Sequence, residues 1–225
     1  MKWIIDYFTS SIGQKIVMGL SGLFLCLFLV IHLAGNVQLF FNDEGEAFNA
    51  YAQMMASNPL IQFASKITFA AILLHAIQGI LLYFKNKAAK GQSYAVKTKK
   101  NASYAARNMA FLGTILFIFI VVHLSNFWYE MKFGEVDNDA FGNKDLYTVV
   151  SASFEQLWLV ALYVISMVSL SYHMYHGFQS GFQTLGINHH KYTPLIKWLG
   201  IWVFAILIPL TFAAMPVSFY LKSVM

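Results

Sequence analysis

The chain has 225 residues, of which 58% are hydrophobic and only 11% are charged. A mean hydropathy of +0.58 is too high for a soluble domain and is typical of a polytopic membrane protein. The single cysteine, Cys26, excludes disulfides, cysteine-ligated clusters and covalent attachment of haem through a CxxCH motif. The net charge of +5 does not indicate a nucleic-acid partner, because the lysines are concentrated in loops, where they set membrane topology.

Apolar segments recur along the whole chain at a length that suits membrane helices, about 20 residues each. We therefore expect an all-α fold, a single transmembrane domain over residues 1–225 that forms a polytopic membrane helical bundle. An amphipathic stretch precedes the first span, and no cleavable signal is predicted because no small-residue cleavage site follows the first apolar run. The five transmembrane helices are predicted at residues 12–41, 60–84, 108–131, 154–182 and 197–221.

The loops alternate in charge. The segment between the second and third spans is strongly basic and contains no acid, with Lys85, Lys87, Lys90, Lys97, Lys99, Lys100 and Arg107. The loops after the first and third spans are acidic instead. By the positive-inside rule, the N-terminus and the basic loop lie in the cytoplasm. We expect the chain to lie in the cell inner membrane.

Histidines occur in the first four spans. Ionisable or metal-binding side chains inside a span are costly to bury and indicate a functional site. With the predicted topology, His32 and His123 lie nearer the outer surface, and His75 and His176 lie nearer the cytoplasm. Two imidazole pairs at two depths match the axial ligands of two haems stacked across a core about 30 Å thick.

The fourth span offers a second histidine. His173 and His176 are three residues apart and so share a helix face, but only one of them can complete the pair. We favour His176, because Gly177 beside it leaves room for a ring, and we keep His173 as the second choice. A single membrane histidine packed against a carbonyl or a serine is a common structural feature. The recurrence in four spans at paired depths favours haem.

Three fragments carry a resemblance to a known family. They are SSIGQKIVMGLSGLFL leading to HLAGN around His32, the lone His75 and His123 at their depths, and HGFQSGFQTLG after the histidines of the fourth span. Over nearly its full length the chain resembles the di-haem cytochrome b subunit of succinate dehydrogenase and fumarate reductase complexes. The resemblance implies two haem b groups, with His32 and His123 on the outer one and His75 and His176 on the inner one.

The same resemblance implies partners. A flavoprotein subunit and an iron–sulfur subunit would dock on the cytoplasmic side. The membrane substrate would be a quinone, and the resemblance to the two-haem type implies that it is menaquinone. The chain itself has one arginine, Arg107, and no nucleotide-binding motif, so dicarboxylate chemistry must occur on another subunit. Succinate oxidation and fumarate reduction use the same parts, and the sequence leaves the direction open. The rival hypotheses are a haem b subunit of a formate dehydrogenase or hydrogenase, and a transporter whose histidines relay protons.

Two further groups of residues are candidates for cofactor contacts. Haem propionates at the cytoplasmic helix ends need cations, hydroxyls or exposed N–H groups, for which we propose Lys15, Tyr104 and Arg107. The usual polar pair of the family early in the first helix is not evident, since Met18 and Gly19 stand there. A quinone needs hydrogen-bonding groups and a proton carrier near the outer surface. The candidates are residues that are also ordinary at an interface: Asn36, Gln38, Glu44, Asn126, Trp128 and Glu130.

Overall fold

The computed structural model describes residues 2–89 and 104–225, without the side chains of residues 4, 5 and 104. Within these ranges the fold is all-helical and no strand forms. Five helices are long and apolar enough to cross a membrane, which confirms the predicted number. We call them the first to the fifth span: Ser11–Phe40, Pro59–Ala89, Ala105–Phe133, Leu157–Thr184 and Thr193–Val224.

The bounds differ from the prediction by up to about five residues, and the difference at the start of the fourth span has an identifiable structural cause. The predicted span began at residue 154, whereas the helix begins at Leu157. Gln156 is extended, with φ −88° and ψ 107°, and it separates the span from a short helix, Leu146–Phe154. The apolar run therefore covers two helices, which hydrophobicity alone cannot distinguish.

Two spans contain π-helical turns. The third span is regular over Tyr104–His123, widens into a π-helix over Leu124–Tyr129 and ends with Glu130–Phe133. A π-helix is rare and frequently lies at a functional site. The one in the third span begins at the residue after His123. The fifth span has the order Thr193–Trp198, π-helix Leu199–Leu207, and Ile208–Val224.

Two short helices lie over one end of the bundle. We call Glu46–Ser57 the first cap helix, Leu146–Phe154 the second cap helix, and this end of the bundle the cap end. The first cap helix was predicted as part of an acidic loop. Its Phe48 joins the core that Phe154 of the second cap helix and Phe219 of the fifth span also form.

Asn49 joins the two cap helices. Its side chain is only 1% exposed. Its Nδ2 donates to Asp145 Oδ1 over 2.9 Å, and its Oδ1 accepts from the backbone N–H of Tyr147 over 2.9 Å. Asp145 also accepts from the backbone N–H of Thr148 at the start of the second cap helix, over 3.1 Å. One amide thus holds together the loops that follow the first and the third spans.

The fourth span is central and the second is peripheral. The fourth span buries ten side chains or glycines along its length, whereas Gln78 is the only buried residue of the second. The opposite end of the bundle, which we call the basic end, carries the N-terminal helix Lys2–Thr9 and both ends of the basic segment. Residues 90–103 of that segment lie outside the described residues. The cytoplasmic location of the basic end stays a prediction.

Candidate functional site

The first histidine pair lies toward the cap end. His32 on the first span and His123 at the end of the regular helix of the third have ring centres 5.7 Å apart, with the ring planes at 89°. Tyr163 of the fourth span places its hydroxyl 3.1 Å from His123 Nδ1. Phe212 of the fifth span has its ring centre 5.7 Å from that of His32. We call His32 and His123 the cap-end pair.

Aromatic rings enclose the cap-end pair. Phe28 stacks on His32 at 5.2 Å, while Phe119 and Phe127 lie 5.6 Å and 5.4 Å from the His123 ring. These apolar rings leave the two half-buried imidazoles few polar partners. One partner is Asn36, whose Nδ2 donates to His32 O over 2.7 Å and lies 3.4 Å from His32 Nδ1.

The second pair lies nearer the basic end and joins the second span to the fourth. His75 and His173 have ring centres 6.1 Å apart. Ser21 of the first span has its Oγ 3.1 Å from His75 Nδ1 and donates to Met18 O over 3.2 Å. Because the serine proton is directed to that carbonyl, its oxygen is available to accept an N–H from Nδ1, which leaves His75 Nε2 free. We call His75 and His173 the basic-end pair.

The ring that meets His75 belongs to His173, whereas the sequence favoured His176. The reason given for His176 was the space at Gly177, but a Cβ there would face Met109 Cε of the third span, 4.0 Å away. The glycines that leave room for imidazoles are on other helices. A Cβ on Gly22 would lie 3.1 Å from His75 Cε1, and one on Gly113 would lie 4.0 Å from His173 Cε1.

The spacing of the pairs fits haem iron. Two imidazoles bound to opposite faces of one iron through bonds of about 2 Å have ring centres about 6 Å apart. Two imidazoles are too few to hold a bare metal ion, which usually takes at least three protein ligands, but they are the full axial set of a haem. In addition, His173 Nδ1 is buried and has no hydrogen-bond partner within the described residues. A buried imidazole nitrogen without a protein partner is a position where a water or a bound group is expected.

The two pairs stand at two levels of the bundle. On the first span, Gly22 contacts His75, and His32 follows ten residues later. On the fourth span, Tyr163 contacts His123, and His173 also follows ten residues later. Ten helical residues span about 15 Å, so the pairs are separated by about that distance along the bundle axis.

The propionate candidates lie at the basic end. Lys15 is exposed in a shallow groove of about 350 Å³, together with Ser180, Gln183 and Thr184 of the fourth span. Arg107 is exposed in the first turn of the third span. Tyr104 begins that helix, but its side chain is outside the described part of the chain. Gly19 is buried against Gly181 and Thr184.

The quinone candidates are only partly brought together. Asn36 lies beside His32, and Asn126 and Trp128 lie in the π-helix that follows His123. The Glu130 carboxylate folds back against Gly134 of its own segment. Of the remaining candidates, Gln38 is half-buried in a 3₁₀ turn and Glu44 is exposed in the loop that precedes the first cap helix.

Compared with known proteins, the chain matches no family model, no curated protein and no solved structure. The family resemblance of the sequence fragments therefore stays a prediction. The functional argument depends on the imidazole pairs and on the groups around them.

Sequence reasoning missed the two hydroxyls that contact the histidines. Ser21 is a polar residue inside an apolar span and lies next to Gly22, so its position was a usable signal. Tyr163 is one of many aromatic residues in the chain, and nothing in the sequence distinguishes it. Its role emerges only because the fourth span packs against the third.

Proposed function

We propose that the chain is a membrane cytochrome b that holds two haem b groups, one at the cap-end pair and one at the basic-end pair. The observation that carries the proposal is the arrangement of four imidazoles from four spans in two pairs, with ring centres 5.7 Å and 6.1 Å apart. The ligands are His32 with His123, and His75 with His173. This set replaces His176 of the sequence prediction by His173.

Residues around each pair orient the ligands. The Ser21 and Tyr163 hydroxyls each lie 3.1 Å from Nδ1 of His75 and of His123. If each hydroxyl oxygen accepts the Nδ1–H, Nε2 of each ring would be the nitrogen available to a haem iron. A haem with both axial positions filled has no vacant site for oxygen and carries one electron at a time. Aromatic side chains line the cap-end pair, and the cap helices cover that end of the bundle.

Two haems at the two levels would provide a path for electrons along the bundle axis. We propose, by the sequence resemblance, that the chain is the membrane-anchor subunit of a succinate:quinone oxidoreductase. A cytoplasmic flavoprotein and an iron–sulfur subunit would exchange electrons with the basic-end pair, and menaquinone with the cap-end pair. Support for this assignment comes from the basic segment, which predicts that the basic end faces the cytoplasm. Asn36, beside His32, is the strongest of the quinone candidates.

A reduced-minus-oxidised optical spectrum of the purified chain tests the haem proposal. We expect a b-type signal with two haems per polypeptide. A chain that binds no haem when it is expressed with adequate haem supply would refute the proposal and favour the transporter hypothesis. Co-purification with a flavin-containing subunit would separate the proposed complex from a formate dehydrogenase or hydrogenase.

Removal of either hydroxyl is expected to raise the midpoint potential of one haem. An Nδ1–H that donates to an oxygen makes the imidazole more electron-rich, which stabilises oxidised iron. Loss of a hydrogen bond worth about 1 kcal/mol corresponds to about 40 mV in a one-electron couple. Potentiometric titration should therefore show one shifted haem in Tyr163→Phe and the other in Ser21→Ala.

The matched control for these two variants is Ser218→Ala. Ser218 donates to the backbone carbonyl of Met215 on the fifth span, which carries no histidine. Both potentials should be unchanged in this variant. Equal shifts in all three variants would indicate a general effect on the bundle and would contradict the assigned contacts.

A further inference from the structure

Two lysines lie along the seam where the second and third spans pack together at the cap end, and we call this seam the groove. Lys132, near the end of the third span, donates from Nζ to Gln62 Oε1 over 2.9 Å. Gln62 is itself held by the first cap helix, because its Nε2 donates to Met55 O over 2.8 Å. Deeper in the bundle, Phe69 and Trp128 are in edge-on contact at 5.3 Å. These two contacts fix the two sides of the groove.

Lys66 lies between these contacts. Gln62, Lys66 and Phe69 follow a spacing of four and three residues, so they form one stripe on the second span. Since both ends of the stripe contact the third span, Lys66 faces the same seam, about one turn deeper than Gln62. Its side chain is exposed at the surface that the lipid would contact. It stands seven residues, or about 10 Å, from the start of its helix.

Neither ammonium group has an acidic partner. No ion pair of Lys66 or Lys132 occurs within residues 2–89 and 104–225. The closest carboxylate in sequence, that of Glu130, folds against Gly134 and is two residues from Lys132, on another side of the helix. Unpaired cations at the edge of the hydrocarbon core are costly unless their side chains extend to an anion at the headgroup level.

We propose that Lys66 and Lys132 bind the phosphodiester of an anionic phospholipid in the leaflet at the cap end. Two cations along one seam complement a headgroup of net negative charge and disfavour one that carries its own ammonium. The acyl chains would lie on exposed apolar side chains beside the groove, since Phe63 is 62% and Phe133 is 67% exposed. The proposal needs only that the spans cross a membrane, and it is independent of haem binding.

Native mass spectrometry of the detergent-purified full chain tests the site. The chain is incubated with phosphatidylglycerol or with phosphatidylethanolamine of the same acyl composition. Each lysine near a lipid phosphate contributes about a factor of five to affinity. We therefore expect one retained phosphatidylglycerol, and about 25-fold weaker binding in the double variant Lys66→Gln/Lys132→Gln.

Two further variants keep the test decisive. Lys66→Arg/Lys132→Arg retains both charges and should retain the lipid. Lys85→Gln removes a lysine at the basic end, where Lys85 donates to Gln14, and it should bind as the unaltered chain does. Equal retention of the two lipids, or equal loss of binding in Lys85→Gln, would overturn the proposal. Displacement of the lipid by a water-soluble quinone analogue would overturn it too and reassign the groove to a quinone.

Discussion

His173→Ala is expected to lose one of the two haem b signals, whereas His176→Ala keeps both. The His173 ring is the one that meets His75, 6.1 Å away, and its Nδ1 is buried with no partner within the described residues. An iron that loses one of its two protein ligands is held by a single imidazole. Quantitative haem analysis of the purified variants should give about one haem per chain for His173→Ala and about two for His176→Ala.

The other ligands provide an internal check on this assignment. His75→Ala should leave the same residual spectrum as His173→Ala, because both variants remove the same haem. His32→Ala should leave the complementary spectrum, and so should His123→Ala. The double variant His75→Ala/His173→Ala should lose no more than either single one. Two haems in His173→Ala with one in His176→Ala would restore the original sequence prediction and refute the pairing proposed here.

The fold was largely predictable from apolar runs, but the cap was not. The five spans were predictable because long apolar segments partition into lipid. In lipid their backbone groups must form hydrogen bonds within the segment, which requires a helix. The first cap helix is stabilised by local capping and by packing against the spans. Asp43 accepts from the backbone N–H groups of Gly45 and Ala47 at its start, and Phe48 is buried against the spans. These contacts depend on tertiary packing, which a mixed polar sequence such as residues 46–57 does not reveal.

The candidate site shows a similar division. The placement of His32 and His123 at one level follows from their late positions in two spans that run in the same direction. The choice between His173 and His176 does not follow from the sequence. Residues three positions apart on a helix share a face and lie less than one turn from each other. The sequence argument used the neighbouring Gly177. The glycines that face the His75 and His173 rings, Gly22 and Gly113, belong to other helices, and this packing is visible only in the folded bundle.

Asn49→Asp is expected to open the cap at neutral pH. The substitution keeps the size of the side chain but places a second carboxylate against Asp145, where the Asn49 amide now donates over 2.9 Å. Replacing a buried hydrogen bond by two like charges costs about 3 kcal/mol. The backbone N–H of Tyr147, which donates to Asn49, reports on this contact. Its hydrogen exchange should become about 100-fold faster at pH 7, since 1.4 kcal/mol corresponds to a factor of ten.

The effect of this substitution should diminish as the pH falls. In the unaltered chain, partial burial of Asp145 would raise the pKa of its carboxyl. Hydrogen bonds from Thr148 and Asn49 outweigh that effect and lower the pKa. The stabilisation by Asp145 is therefore complete above its unfolded pKa of about 3.9, and it is lost only as the pH falls further.

In the Asn49→Asp variant, the two adjacent carboxyls share one proton, which raises the pKa of one of them above its unfolded value. The stability of the variant cap should accordingly increase as the pH falls from 7 to 5, while the stability of the unaltered cap stays constant. The matched control is Asn58→Asp, which makes the same charge change at an exposed position. There the side-chain oxygen accepts from the N–H of Leu60, as an aspartate also does. Exchange at Tyr147 that is equally fast in both variants, or independent of pH in Asn49→Asp, would show that Asn49 does not hold the cap through Asp145.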